Sequence, residues 1–158
     1  MKKRNFLITL ISLTAMAIIF DSCNKDDDEN EGNETKISSH NDDESHNMGQ
    51  NCMNCHHSGG DGEGWFILAG TAYDSLKTST YPNVTVKLYT GPNGTGDLKH
   101  TIKGDAKGNF YTTETIDFSS GLYPAVTGAN GTKFMSTPTT SGACNSCHGA
   151  STDKIWTL

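Results

Sequence analysis

Apolar residues are scarce in this sequence. They make up 34% of its 158 residues, which is low for a globular chain. No ten-residue stretch has the periodicity of an amphipathic helix, whereas 17 glycines and many Thr, Asn and Ser residues favour short strands and turns. We therefore expect one small domain with extensions and a small apolar core.

Positive charge is also in short supply, and the formal net charge is −6. Residues 24–46 carry nine acidic side chains and two lysines, whereas residues 47–158 carry eight acidic and seven basic side chains. The expected folded part is nearly neutral, which excludes the basic surface that nucleic-acid binding requires. We assign the acidic excess to residues 23–45 and expect them to form a disordered tether.

The start of the sequence has the pattern of an export signal. Three basic residues at positions 2–4 precede an apolar run over residues 6–20, which is short for a membrane span. We interpret residues 1–22 as a signal peptide. Cys23 follows directly and is expected to be the lipidated N-terminus of a lipoprotein; the alternative is an ordinary signal peptide with an unpaired cysteine nearby.

Lys25 and the acidic residues behind it resemble the export signal of surface lipoproteins in one Gram-negative phylum. The resemblance implies an outer-membrane lipoprotein that faces the cell exterior. A merely solvated linker would have the same composition, so periplasmic residence is the alternative.

Cysteine is rare apart from one pattern that occurs twice. Four of the five cysteines lie in Cys52-Met53-Asn54-Cys55-His56 and Cys144-Asn145-Ser146-Cys147-His148. Cys-x-x-Cys-His is typical of c-type haem attachment, in which both thiols bond to one porphyrin and the adjacent histidine is the proximal iron ligand. The sequence therefore predicts two covalently attached haem c groups. Their attachment residues are Cys52, Cys55, Cys144 and Cys147, and His56 and His148 are the proximal ligands.

Three other uses of paired cysteines are less consistent with this pattern. Zinc ribbons place their pairs about 15–20 residues apart, whereas 88 residues separate Cys55 from Cys144. A thioredoxin-like pair needs a strand-to-helix setting, which neither motif has. Simple disulfides are compatible with an exported chain, but they do not require a histidine after each pair.

Each iron also needs a sixth ligand or an open position. His46 lies six residues before Cys52, and Met135 lies nine residues before Cys144. This parallel placement makes His46 and Met135 the expected distal ligands, each on its own haem or crossed over. His100 is the reserve candidate, although its alternation with Leu98 also fits a buried strand residue.

The region between the motifs predicts an antiparallel β-sandwich over residues 65–136. The expected strands cover residues 65–73, 84–89, 98–103, 110–116, 122–126 and 133–135. Residues 46–64 and 137–158 are then the two haem-binding segments that flank it.

This middle region resembles the transthyretin-like, carboxypeptidase regulatory-type domain. The matching pieces are Ala69-Gly70-Thr71-Ala72-Tyr73, the Val84 strand, Gly108-Asn109-Phe110-Tyr111 and Leu122-Tyr123-Pro124. Residues 46–158 as a whole resemble a group of exported dihaem proteins in which such a domain lies between two Cys-x-x-Cys-His motifs. That resemblance implies a non-enzymatic scaffold and also favours His46 and Met135 as ligands.

The expected function is electron transfer at the cell envelope or surface, by a carrier and not by an enzyme. The expected partners are other redox proteins or an extracellular electron acceptor, with the membrane contacted through the lipid. The sequence leaves open whether copies form a homo-oligomer. The alternatives are a haem-containing binding or sensing module and a dihaem peroxidase-like enzyme, which would need an open iron position with an acid-base group above it.

Overall fold

The chain forms two β-sheets with an apolar core between them. The computed structural model describes residues 33–158, and this range contains seven strands, three short turns of 3-10 helix and no α-helix. The strands are β1 (Leu68–Tyr73), β2 (Thr85–Tyr89), β3 (Leu98–Lys103), β4 (Asn109–Thr112), β5 (Tyr123–Gly128), β6 (Gly131–Phe134) and β7 (Ile155–Trp156). The expected mainly-β fold, an antiparallel β-sandwich, is confirmed.

Strand β1 is the centre of the first sheet, whose order is β4-β1-β7. It pairs antiparallel with β4 and parallel with β7. The second sheet has the order β3-β2-β5-β6 and is antiparallel throughout. Strand β7 was not expected, because two residues are too few to show an alternating pattern. It brings the end of residues 137–158, the predicted second haem-binding segment, into the sandwich.

Alternate positions of the strands supply the core. Val84, Val86 and Leu88 are buried, as the alternation around β2 predicted. Leu68 and Phe110 meet them from the facing sheet and belong to the same apolar cluster. Each fully buried side chain of this size stabilises the fold by about 1.5–3 kcal/mol.

Strand β3 departs from the expected alternation. Ile102 is buried, but Leu98 is 49% exposed and His100 is only partly buried. The reason is that β3 is an edge strand and its register with β2 shifts beside Leu88 and Tyr89. His100 lines neither of the two cavities described below.

The second half of the expected tether is not disordered. Residues 33–45 run along the free edge of β4, and we call them the strap. Ile37 bridges to Thr112, and the buried Ser38 donates a hydrogen bond to the carbonyl of Lys103 and accepts one of 2.8 Å from the Tyr111 N–H. An edge strand leaves backbone N–H and C=O groups free to pair with another segment. The strap pairs with these groups of β4, and its acidic side chains do not prevent the pairing.

The predicted signal peptide, the lipidation site Cys23 and the first part of the predicted tether lie outside the described residues. Within residues 33–158, no helix is both long enough and apolar enough to span a bilayer.

Candidate functional site

The two Cys-x-x-Cys-His motifs adopt the same local structure. Each begins with a single 3-10 turn, at Cys52–Asn54 and at Cys144–Ser146. In the first motif, the N–H groups of Cys55 and His56 both donate to the carbonyl of Cys52, at 3.1 and 3.0 Å. The second motif repeats both bonds on the carbonyl of Cys144. Each turn therefore carries two thiols and a histidine on one short, hydrogen-bonded stretch of chain.

Both motif histidines are fixed through the same ring nitrogen. Nδ1 of His56 lies 2.9 Å from the carbonyl oxygen of Glu63, and Nδ1 of His148 lies 2.7 Å from that of Asp153. A carbonyl only accepts hydrogen bonds, so Nδ1 carries a proton, and in the neutral imidazole Nε2 then has a free lone pair. This is the arrangement by which proteins orient a metal-ligating imidazole and raise its basicity.

The first motif borders a cavity of about 240 Å³. Its lining includes Cys52, Cys55, His56 and the predicted distal ligand His46. The ring centres of His46 and His56 are 6.1 Å apart, and the ring planes are tilted by 36°. Metal–imidazole bonds of about 2 Å would put two rings on opposite sides of one metal roughly 6 Å apart. The observed separation therefore suits a shared metal.

A buried polar pair holds the segment that carries His46. The side-chain amide of Asn109 donates to the carbonyl of His46 at 3.2 Å, and its oxygen accepts a 2.6 Å hydrogen bond from the Thr71 hydroxyl. The same hydroxyl accepts a 2.8 Å hydrogen bond from the N–H of Gly49. Thr71 and Asn109 are both buried in the first sheet. The sandwich itself thus positions the stretch before the first motif.

The second motif borders a larger cavity of about 320 Å³. Cys144, Cys147 and His148 line it, together with the predicted distal ligand Met135. Each expected distal ligand therefore lies at the cavity of the nearer motif, and no crossing over is needed. The lining also includes Trp156, which has the Lys133 ammonium 4.2 Å from its ring centre.

The thiols differ in their surroundings. Cys55 and Cys147 are exposed, whereas Cys52 and Cys144 are partly buried. Desolvation raises the pKa of the Cys144 thiol to about 12, with a smaller contribution in the same direction from the charge of Cys52. Desolvation also raises the pKa of Cys52. The contribution of Cys52 to the pKa of Cys144 agrees with a fold in which strand β1 contacts the 3-10 turns of both motifs.

Strand β1 lies against both motifs. The N–H of Ala69 donates to the carbonyl of Gly142 just before the second motif, at 2.9 Å. A Cβ on Gly70 would be 2.9 Å from the Cβ of Cys144 and 2.5 Å from the Phe110 ring, so only glycine fits there. Along the chain, the two motifs lie on either side of the sandwich region. In the fold, both contact the same strand, β1.

Sequence reasoning missed the residues that surround His56. Phe66 stacks on its ring at a centroid distance of 4.2 Å, and Gly62 lies directly against it. The strap holds the intervening loop, because Lys36 pairs with Glu63 at 3.1 Å and Asn33 exchanges two hydrogen bonds with the Trp65 backbone. The close packing of Gly62 on His56 has no signal in a single sequence.

The donor set of each site fits a haem c group. Two thiols on one turn, an imidazole held through Nδ1 and an adjoining cavity are the components that thioether attachment and axial ligation use. The zinc alternative is weaker, since no three His, Cys, Asp or Glu side chains within residues 33–158 converge on a metal position. The four cysteines of the described part are free thiols and not disulfides.

Comparison with family models, curated proteins and solved structures finds no match for this chain.

Proposed function

We propose that this protein is a dihaem c-type cytochrome that transfers electrons at the cell envelope or surface. Cys52 and Cys55 would attach the first haem, and Cys144 and Cys147 the second. His56 and His148 would be the proximal ligands, and His46 and Met135 the distal ones. A bound haem supplies a centre that gains and loses one electron.

One observation carries the proposal. In both motifs, a backbone carbonyl accepts a hydrogen bond from Nδ1 of the histidine, which keeps Nε2 available as a ligand atom in the neutral imidazole, and the histidine lines the same cavity as the motif thiols. A disulfide or a thiol redox pair has no need of an oriented imidazole. The repetition of the same geometry at two distant places in the chain supports a common ligand chemistry.

The distal candidates support electron transfer over oxygen chemistry. An iron held on both sides has no position left for a substrate, and fixed axial ligands are what electron-carrying haem proteins use. No lid or substrate cleft is required for such a role. Electrons would pass between the two sites and then to a redox partner or an extracellular acceptor.

The location in this proposal rests on the sequence before residue 33. The signal-peptide pattern and Cys23 support a lipid-anchored protein of the outer membrane. The acidic stretch behind Cys23 supports exposure at the cell surface. Other redox proteins and extracellular acceptors are then the available partners.

The proposal is tested by expressing the full chain in a host that exports and matures c-type cytochromes. We expect a protein with the absorption bands of low-spin haem, taking up two electrons per chain in a reductive titration. Carbon monoxide should leave the spectrum of the reduced protein unchanged, because both sixth positions are filled. A carbon monoxide shift in the unmodified protein would favour a sensing or peroxidase-like role instead, and a colourless protein would refute the haem assignment.

A further inference from the structure

The imidazole of His56 is packed more tightly than the imidazole of His148. Both rings have the Nδ1 hydrogen bond, but only His56 is also covered by an aromatic ring and a glycine. We propose that Phe66 and Gly62 are positioning residues that fix the plane of the His56 imidazole and hence its 36° tilt against His46. This inference rests on the proposed function and concerns the first site alone.

Phe66 is a rigid support for the ring. It stacks on His56 with only 10° between the ring planes, and Tyr111 stacks on Phe66 in turn at 4.8 Å and 21°. The N–H of Phe66 also donates to the carbonyl of His56, at 3.1 Å. Tyr111 belongs to β4, so the stack connects the imidazole to the first sheet.

Gly62 restricts the same ring by close approach. A Cβ at this position would lie 2.7 Å from Nδ1 and 2.8 Å from Cγ and Cε1 of His56. The N–H of Gly62 donates to the carbonyl of Cys55 at 3.1 Å, which anchors the loop to the motif. The next residue, Glu63, supplies the carbonyl that accepts the Nδ1 proton.

Together these contacts remove the freedom of His56 to rotate about its Cβ–Cγ bond. The hydrogen bond fixes one ring atom, and the stack and the glycine fix the plane. Within residues 33–158, no aromatic ring stacks on His148, whose ring is hydrogen-bonded at Nδ1 to Asp153 and Thr152. A ligand already held in its final orientation needs no reorganisation when charge arrives, which favours fast electron exchange.

The test uses the electron paramagnetic resonance signal of the oxidised protein, because the signal of a low-spin haem depends on the angle between its axial ligand planes. Phe66→Leu keeps an apolar side chain but removes the stacking ring. Phe118→Leu is the matched control, because Phe118 is also partly buried but lines neither cavity. The second haem of the same molecule is the internal reference.

We expect Phe66→Leu to retain two haems per chain while the signal of the first haem shifts or divides into several species. The signal of the second haem, and both signals of Phe118→Leu, should match the unmodified protein. If Phe66→Leu does not take up haem, the same measurement is made on Gly62→Ala. The added Cβ would press on the His56 ring and should likewise change the signal of the first haem. An unchanged first signal in the haem-loaded variant overturns the inference. A colourless unmodified protein refutes the proposed function and not the positioning role alone.

Discussion

In the proposed haem sites, single side chains would decide whether each iron has a fixed or an open sixth position. His46 lines the first cavity together with His56, with the ring centres 6.1 Å apart, and takes no part in the apolar core. We expect His46→Ala to fold and to bind two haems, but to open the distal position of the first. Carbon monoxide should then shift part of the spectrum of the reduced variant. His40→Ala is the control, because His40 lines neither cavity and should leave the spectrum insensitive to carbon monoxide.

If the spectrum of reduced His46→Ala does not change with carbon monoxide, another residue ligates the first iron. At the second site, Met135→Ala should in the same way open the sixth position of the second iron.

The burial of Cys144 makes a prediction about the protein without haem. The thiolate is the reactive form of cysteine, and a pKa raised to about 12 keeps Cys144 protonated at neutral and mildly basic pH. In the folded haem-free protein, alkylation of Cys144 should therefore be slow at pH 8 and should accelerate as the pH rises toward 12. Peptide mass spectrometry after timed treatment with iodoacetamide measures the rate.

A Cys144 that reacts at pH 8 as fast as a short unfolded peptide of the same sequence would contradict this account of its surroundings. In the mature protein the expectation is different, because a sulfur in a thioether has no thiol to alkylate. All four motif cysteines should then stay unmodified even after denaturation.

At this scale the sequence predicts side chains but not the backbone groups that serve them. The spacing of the motifs identifies the thiols and histidines, since their chemistry requires those residues at those positions. The carbonyls of Glu63 and Asp153 could not be predicted as partners of the motif histidines. Every residue has a carbonyl, and only the loop conformation determines which one reaches the ring. Phe66 was assigned to a strand and not to the site, because its stacking on His56 depends on how the chain folds back between residues 57 and 66.

Among the elements, the strap shows that the second half of the acidic segment is ordered against the sandwich. Its charges suggested disorder, yet Ser38 is 2% exposed and its hydroxyl is hydrogen-bonded to the backbone of both β3 and β4. The composition of a segment indicates how the segment behaves alone. It does not indicate that the folded sandwich has an unpaired edge at β4 to which the segment can bind.

We expect Ser38→Ala to destabilise the protein by about 1–3 kcal/mol, because it leaves buried backbone groups without their partner. Ser39→Ala is the matched control, since Ser39 is exposed and should change the free energy of unfolding by less than about 0.5 kcal/mol. Urea denaturation of the two variants measures the difference. Equal midpoints for both would show that the strap does not stabilise the sandwich.

Strands with a clear alternation were predicted best. The pattern around β2 identified its buried face, whereas residues 65–67 and 113–116 were wrongly included in neighbouring strands. Strand ends depend on where a partner strand stops, and β7 exists only because β1 offers it a parallel edge. These are properties of the assembled sheet and not of the segment.

On the scale of the whole molecule, the two candidate haem sites share one strand but differ in their ligands. The first would have two imidazoles, and the second an imidazole and the thioether of Met135. A thioether ligand raises the reduction potential relative to a second imidazole. A redox titration should therefore resolve two separate one-electron steps, with the second haem reduced first.

Met135→His should lower the higher potential and bring the two steps together, while the first haem keeps its own potential. Met48→Leu is the control, because Met48 is exposed and lines neither cavity. Two haems that already titrate together at a low potential in the unmodified protein would contradict the assignment of Met135.

The sequence predicted the β-sandwich better than the arrangement of the two motifs against it. Two motifs on either side of a β-region could have lain far apart, and nothing in the spacing decided the matter. The contact of both motifs with β1 follows from the long-range pairing of strands, which a single sequence does not display.

The most direct measurement is peptide mass spectrometry of the exported, denatured protein. We predict that the peptide with Cys52 and Cys55 and the peptide with Cys144 and Cys147 each carry one porphyrin that denaturant does not remove. Two peptides with the mass of their amino acids alone, from a host shown to mature other c-type cytochromes, would contradict the account.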